Sequence, residues 1–147
     1  WDLDHAWGEF PLIDTADNRE RASITRPWEG KILFLERLFA VQEFDRLYRA
    51  ELERQLDTVF RPDRLGRRID ELAAAIRPAI AEESPDKLAK FEIAVSSTLQ
   101  EGPREGNAFD PNRPVFQLKR FIEARARNVR EQLEGKTEGV IITRRPW

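Results

Sequence analysis

The residues with the most chemical promise stand near the start of the chain. Asp2 and Asp4 lie two positions apart within Trp1-Asp2-Leu3-Asp4-His5-Ala6-Trp7-Gly8. In an extended segment such side chains share a face, so both carboxylates can address one hard cation. Mg²⁺ and Mn²⁺ take oxygen ligands of this kind and commonly share them with nucleotide phosphates. Alone, an Asp-x-Asp pair is a weak signal, and solvated or capping acids are its ordinary reading. The setting strengthens it. Trp1, Leu3 and Trp7 would hold the acids in a partly buried cleft, and paired carboxylates need a counter-charge where they are buried.

His5 is the only histidine. It has the chemistry to ligate a metal, assist proton transfer or bind phosphate. A packed or surface role is the ordinary reading of one histidine beside two tryptophans, because metal sites need several ligands. Arg19, Arg21 and Arg26 are forked donors suited to phosphate, and a solvated loop is the plainer reading of them. Arg64, Arg67, Arg68 and Arg77, interleaved with Asp70, Glu71 and Glu82, read as salt-bridged helix surface. Trp28 and Trp147 read as packing or edge aromatics. There is no Gly-rich phosphate loop, no nucleophile elbow, no His-Glu-x-x-His and no Cys–His pair. Gly102 and Gly106 flank Pro103 and lack the Lys-Ser/Thr ending of a Walker loop.

The elements that must position these groups are mostly helical. The aromatic, acidic start reads as the end of a strand, and residues 9–30, with their glycines and prolines, as an irregular connection lying on the surface. Ile32, Leu33, Leu35, Leu38 and Phe39 predict a short helix, interrupted at Gln42-Glu43. Phe44, Leu47, Tyr48, Leu52, Leu56, Val59 and Phe60 recur at three- and four-residue steps and predict a longer one. Pro62 or Asp63 suits the opening of the next helix, carried by Leu65, Ile69, Leu72, Ala73, Ile76 and Ile80. Pro78 is expected to kink it or end its regular part.

Ser84-Pro85-Asp86 supplies an N-cap serine and a first-turn proline for a third long helix, with Leu88, Phe91, Ile93, Val95 and Leu99 on its apolar side. Residues 101–114 hold two Gly and three Pro and read as a loop. A last helix follows Pro114 on Val115, Leu118, Phe121, Ile122, Ala126, Val129 and Leu133, with Gly135 as its stop. Gly139 to Thr143 is β-branched enough for a short strand. The fold class is mainly α, a helical bundle with short strand segments at both ends that pair with each other or with something else. The implied divisions are 1–30, a strand and loop segment carrying the acidic motif; 31–135, the bundle; and 136–147, a strand or tail.

Composition narrows the partners. The chain has 147 residues, 40% hydrophobic and 35% charged, with a formal net charge of −2. The near-neutral balance lacks the footprint of a dedicated nucleic-acid binder, and no window approaches the roughly 18 apolar residues of a membrane span. With no Cys, disulfides and thiolate metal sites are excluded. The sequence opens at Trp1, carries no Met and no signal peptide, and reads as a cut or partial record.

At several of these residues the sequence resembles the CotH (spore coat protein H-like) family of atypical kinases. Residues 1–8 are similar to its W-D-x-D-x-[AT]-[FW]-G element. Leu38 to Phe44 with Tyr48, Phe60 to Leu65, Ile69 to Leu72 and Ile76 to Pro78 resemble the family's helical segments. Leu118 to Leu133, with Phe121, Ile122, Arg125, Val129 and Arg130, is similar to its L-x-x-F-I-x-x-R-x-x-x-V-R-x-x-L helix. The resemblance implies a C-lobe-like helical part of a protein-kinase-like fold that transfers the γ-phosphate of ATP to Ser or Thr of coat or extracellular proteins. It implies Mg²⁺ or Mn²⁺ with ATP as cofactors, Asp2 as metal and nucleotide ligand, and Asp4 as a second metal ligand. The family's phosphate-binding Lys, catalytic-loop Asp and adenine-contacting aromatic precede this motif, so the upstream part of the same polypeptide is an implied partner. Residues 1–147 alone are not expected to catalyse transfer. Spore coat, cell surface or secretion is the implied location. Residues 87–114 follow the family poorly. A non-catalytic helical surface or interaction module is the alternative reading.

Overall fold

A computed structural model describes Trp7, residues 19–98 and residues 115–142. Five helices make up most of this: α1 (Leu33–Phe39), α2 (Gln42–Thr58), α3 (Pro62–Glu83), α4 (Pro85–Val95) and α5 (Leu118–Leu133). The mainly helical class read from apolar periodicity holds. Among the described residues there is no sheet, and the only β pairing is an isolated parallel bridge between Ala22 and Val140. Leu99, the 101–114 loop, Thr143 and Trp147 lie outside the described residues.

The chain divides into two compact units, Trp1–Arg61 with Ala124–Trp147, and Pro62–Glu123. In the first, Ile24, Leu56, Ala126 and Val129 form a buried cluster against which Tyr48, Leu52, Phe60 and Leu133 pack. These residues belong to α2 and α5, apart from Phe60, which follows the end of α2, and Ile24, which comes from the long connection and is 1% exposed. A chain of rings extends the packing: Trp28 on Phe39 at 5.0 Å, and Phe39 edge-on to Phe44 and Tyr48, each at 5.1 Å. Such tilted and edge contacts are the favoured aromatic geometries. Outside the core, α2 laces its wet face with i,i+3 and i,i+4 pairs, Arg46–Glu43, Arg49–Asp45 and Arg54–Glu51.

In the second unit α3 and α4 pack together, burying Ala73 and Ile93. Arg77 bridges them through a two-pronged contact with Glu92, its Nε 2.5 Å from Oε1. The guanidinium also lies 5.8 Å from the Phe91 ring centre. Lys119, nearly buried, reaches Asp70 at 2.5 Å, and Gln117 donates to the Thr98 carbonyl at 3.0 Å.

The helix ends follow their residues. Ser84 Oγ accepts the Lys87 N–H at 3.1 Å, with Pro85 in the first turn. At the end of α5, Gly135 takes φ +72°. Its N–H donates to the Gln132 carbonyl, and that of Lys136 to the Glu131 carbonyl. This is the Schellman arrangement that glycine permits.

Four expectations need correction. Gln42-Glu43 does not interrupt the helices. The break falls at Ala40-Val41, and Gln42 and Glu43 open α2, where acids suit the N-terminal dipole. Pro78 does not end α3, which runs on to Glu83. Pro78 and Ala74 are both exposed, so water can serve the carbonyl that the proline leaves without a donor. Residues 19–24 do not all lie on the surface, for Arg19, Glu20, Ser23 and Ile24 are buried while Arg21 is exposed. The strand at 139–143 reduces, in its described part, to the Val140 bridge. Val140 pairs with Ala22 of the connection: Ser23 N–H donates to Val140 O at 2.8 Å, and Val140 N–H to Arg21 O at 2.7 Å.

Candidate functional site

Asp2, Asp4 and His5 lie outside the described residues. Trp7, from the same motif, is described. It is half-buried, and its ring stacks on Phe60 with centroids 6.3 Å apart and planes 27° from parallel. Phe60 follows the end of α2, where its N–H donates to the Gln55 carbonyl at 2.7 Å. It packs on the Ile24–Leu56–Ala126–Val129 cluster. Trp7 is thereby tied to the core of the first unit.

The connection that follows the motif is fastened by polar side chains of α5. Gln132 Oε1 accepts the Ile24 N–H at 2.9 Å, while its Nε2 donates to Ala22 O at 3.1 Å and to Asn128 Oδ1 at 2.7 Å. Arg125 Nη1 donates to the carbonyls of Ala22 and Glu20. Burial works against the Arg125 cation and lowers its pKa, while the Tyr48 phenol acts in the opposite direction. Burial also pushes the Tyr48 phenol up, against the pull of Arg125 and Arg49. No single reading of residue types would find this clamp. Its sequence signal is Arg125, Asn128 and Gln132, spaced three and four apart on an otherwise apolar stripe, where polar groups need buried partners.

The arginines considered for phosphate part company. Arg19 is buried, against the solvated-loop reading, whereas Arg21 and Arg26 are exposed. Arg26 donates to the Gly30 carbonyl at 3.0 Å. Arg68 pairs with Glu71 and Arg67 with Asp63, as helix surface does. Arg77 instead crosses to Glu92, which it holds below the usual carboxylate range. Trp28 packs on Phe39 as a core-edge aromatic; its buried Nε1 has no hydrogen-bond partner among the described residues. Among the described residues no three His, Asp or Glu side chains gather to hold a metal ion. Nor is any helix among them long and apolar enough to cross a membrane.

Five helices without a sheet among the described residues fit the helical portion of a kinase-like fold. The chain belongs to the CotH kinase family: the family model described as CotH kinase protein matches residues 1–129, which include the acidic motif. Comparison with curated proteins and with solved structures finds no match.

Proposed function

We propose that this chain supplies the metal–nucleotide end of a CotH-type protein kinase that transfers the γ-phosphate of ATP to Ser or Thr of coat, surface or secreted proteins. The observation that carries the reading is the family match, which begins on the acidic motif and runs to residue 129. Asp2 is the proposed ligand of Mg²⁺ or Mn²⁺, with Asp4 as its companion. A divalent ion in that place would neutralise charge on the nucleotide phosphates during transfer. The test is Asp2→Ala in the full-length polypeptide, assayed for phosphate incorporation from ATP. Abolished incorporation is the expected result, and incorporation at the unaltered rate would sink the assignment.

A non-catalytic interaction module is the second reading. Leu72 and Ile76, four residues apart on α3 and each 49% exposed, support it. Under that reading partner capture would persist in Asp2→Ala and would not need ATP.

A further inference from the structure

We propose that α3 pairs with α3 of a second copy of this chain, antiparallel and about a two-fold axis near Ala74. The proposal rests on neither reading of the acidic motif. Leu65, Ile69, Leu72, Ile76 and Ala79 follow one another along α3 at steps of four, three, four and three residues. That spacing is the heptad rhythm of a coiled-coil seam, with isoleucine at one of its two positions and Leu65, Leu72 and Ala79 at the other. The seam is not the side that α3 uses within its own unit. There Ala73 is buried and Arg77 crosses to Glu92 of α4. Leu72 and Ile76, at the middle of the seam, are exposed, and Leu65 and Ile69 are only half-buried. A second apolar row left in water, on a helix whose first is already packed, marks a face built for a partner.

Charge identifies the partner. Arg68 and Glu82 flank the seam on one side, fourteen residues and therefore two heptads apart, and both are exposed. Arg68 holds Glu71 of its own helix at 2.9 Å, a surface pair weak enough to be exchanged. An antiparallel pair centred on Ala74 sets Leu72 of each copy beside Ile76 of the other, with Ile69 beside Ala79 further out. Antiparallel seams match like flanks, so the same register brings Arg68 of each copy to Glu82 of the other. Ala75, midway along that flank, is small and lets the two helices approach. In a parallel pair the flank would instead meet the opposite one, which carries the uncharged Gly66, Ala73 and Ile80. The face is thus complementary to itself, as a two-fold interface must be, and its charges select the antiparallel orientation.

The test is sedimentation equilibrium of the full-length chain over a range of concentrations, with circular dichroism of each variant to confirm folding. The parent is expected to dimerise reversibly. Leu72→Glu puts a charge into the seam of both copies and should raise the dissociation constant roughly a hundredfold or more. Arg68→Glu should raise it about tenfold, because two attractions become repulsions. Adding Glu82→Arg to that variant restores opposite charges and should bring the constant back to within about threefold of the parent. A parent that stays monomeric at every concentration would overturn the proposal and leave the face to a different partner. So would a dimer unchanged in Leu72→Glu, since it would use another surface. A double variant no tighter than Arg68→Glu alone would reject the antiparallel register. Should Leu72→Glu fail to fold, the two charge variants, which alter only exposed residues, still decide the question.

Discussion

The side-chain oxygen of Gln132 accepts the backbone N–H of Ile24 at 2.9 Å, joining residues 108 apart in sequence. The same carboxamide donates to Ala22 O and to Asn128 Oδ1, so one buried side chain serves as both donor and acceptor to its surroundings. A connection that would otherwise carry unsatisfied polar groups into the interior is thereby made compatible with burial. Ile24 can enter the core because Gln132 meets its backbone.

Gln132→Ala should destabilise the protein by about 2–3 kcal/mol, since it leaves the Ile24 N–H buried without its acceptor. Gln132→Glu should also destabilise, because a carboxylate cannot donate to Ala22 O and would face the Asn128 oxygen. Urea denaturation measures both. A loss below about 0.5 kcal/mol in Gln132→Ala would mean that water takes over the vacated bonds.

Gly139 and Gly30 separate backbone strain from crowding. Both have positive φ, +76° and +70°, but a Cβ at Gly139 would meet Gln132 Oε1 at 2.5 Å, whereas one at Gly30 meets nothing within 4 Å. Gly30→Ala should cost about 1 kcal/mol, the backbone term alone. Gly139→Ala should cost at least about 3 kcal/mol, because it also displaces the carboxamide and its bonds. Equal losses in denaturation would show that the Gln132 side chain yields freely.

Tyr48 is the only tyrosine, so its ionisation can be followed by tyrosinate absorbance. Burial, opposed by Arg125 and Arg49, raises its pKa above the ordinary 10.0. The folded state then holds this proton more tightly than the unfolded state. Its contribution to stability is complete below the unfolded pKa and is lost as pH rises through the folded value. Tyr48→Phe should abolish that part of the alkaline loss of stability. A folded-state midpoint at or below the ordinary value would contradict the burial argument.

Where elements begin and end was written in local chemistry. The stripe from Phe44 to Phe60 specified α2, Ser84-Pro85 set the start of α4, and Gly135 stopped α5, because caps and periodicity act within a turn or two of their own residues. The motif of residues 1–8 was legible as family, since the family match includes it. Pro78 does not end α3, since a proline rule takes no account of whether water can reach the freed carbonyl. Residues 19–24 depart from expectation more deeply. Loop composition suggested the surface, and only partners over a hundred positions away made burial affordable.

By itself, then, the order of residues determined the helical class, the helix start at Ser84-Pro85, the helix stop at Gly135 and the kinase-family kinship, all properties of short segments. The tertiary structure alone decided that Ile24 belongs to the core, that Val140 pairs with Ala22 instead of forming a longer strand, and that Trp7 rests on Phe60. Each of these depends on which distant groups meet. Burial and hydrogen bonding reward a residue for its neighbours in space, and the local pattern does not encode them.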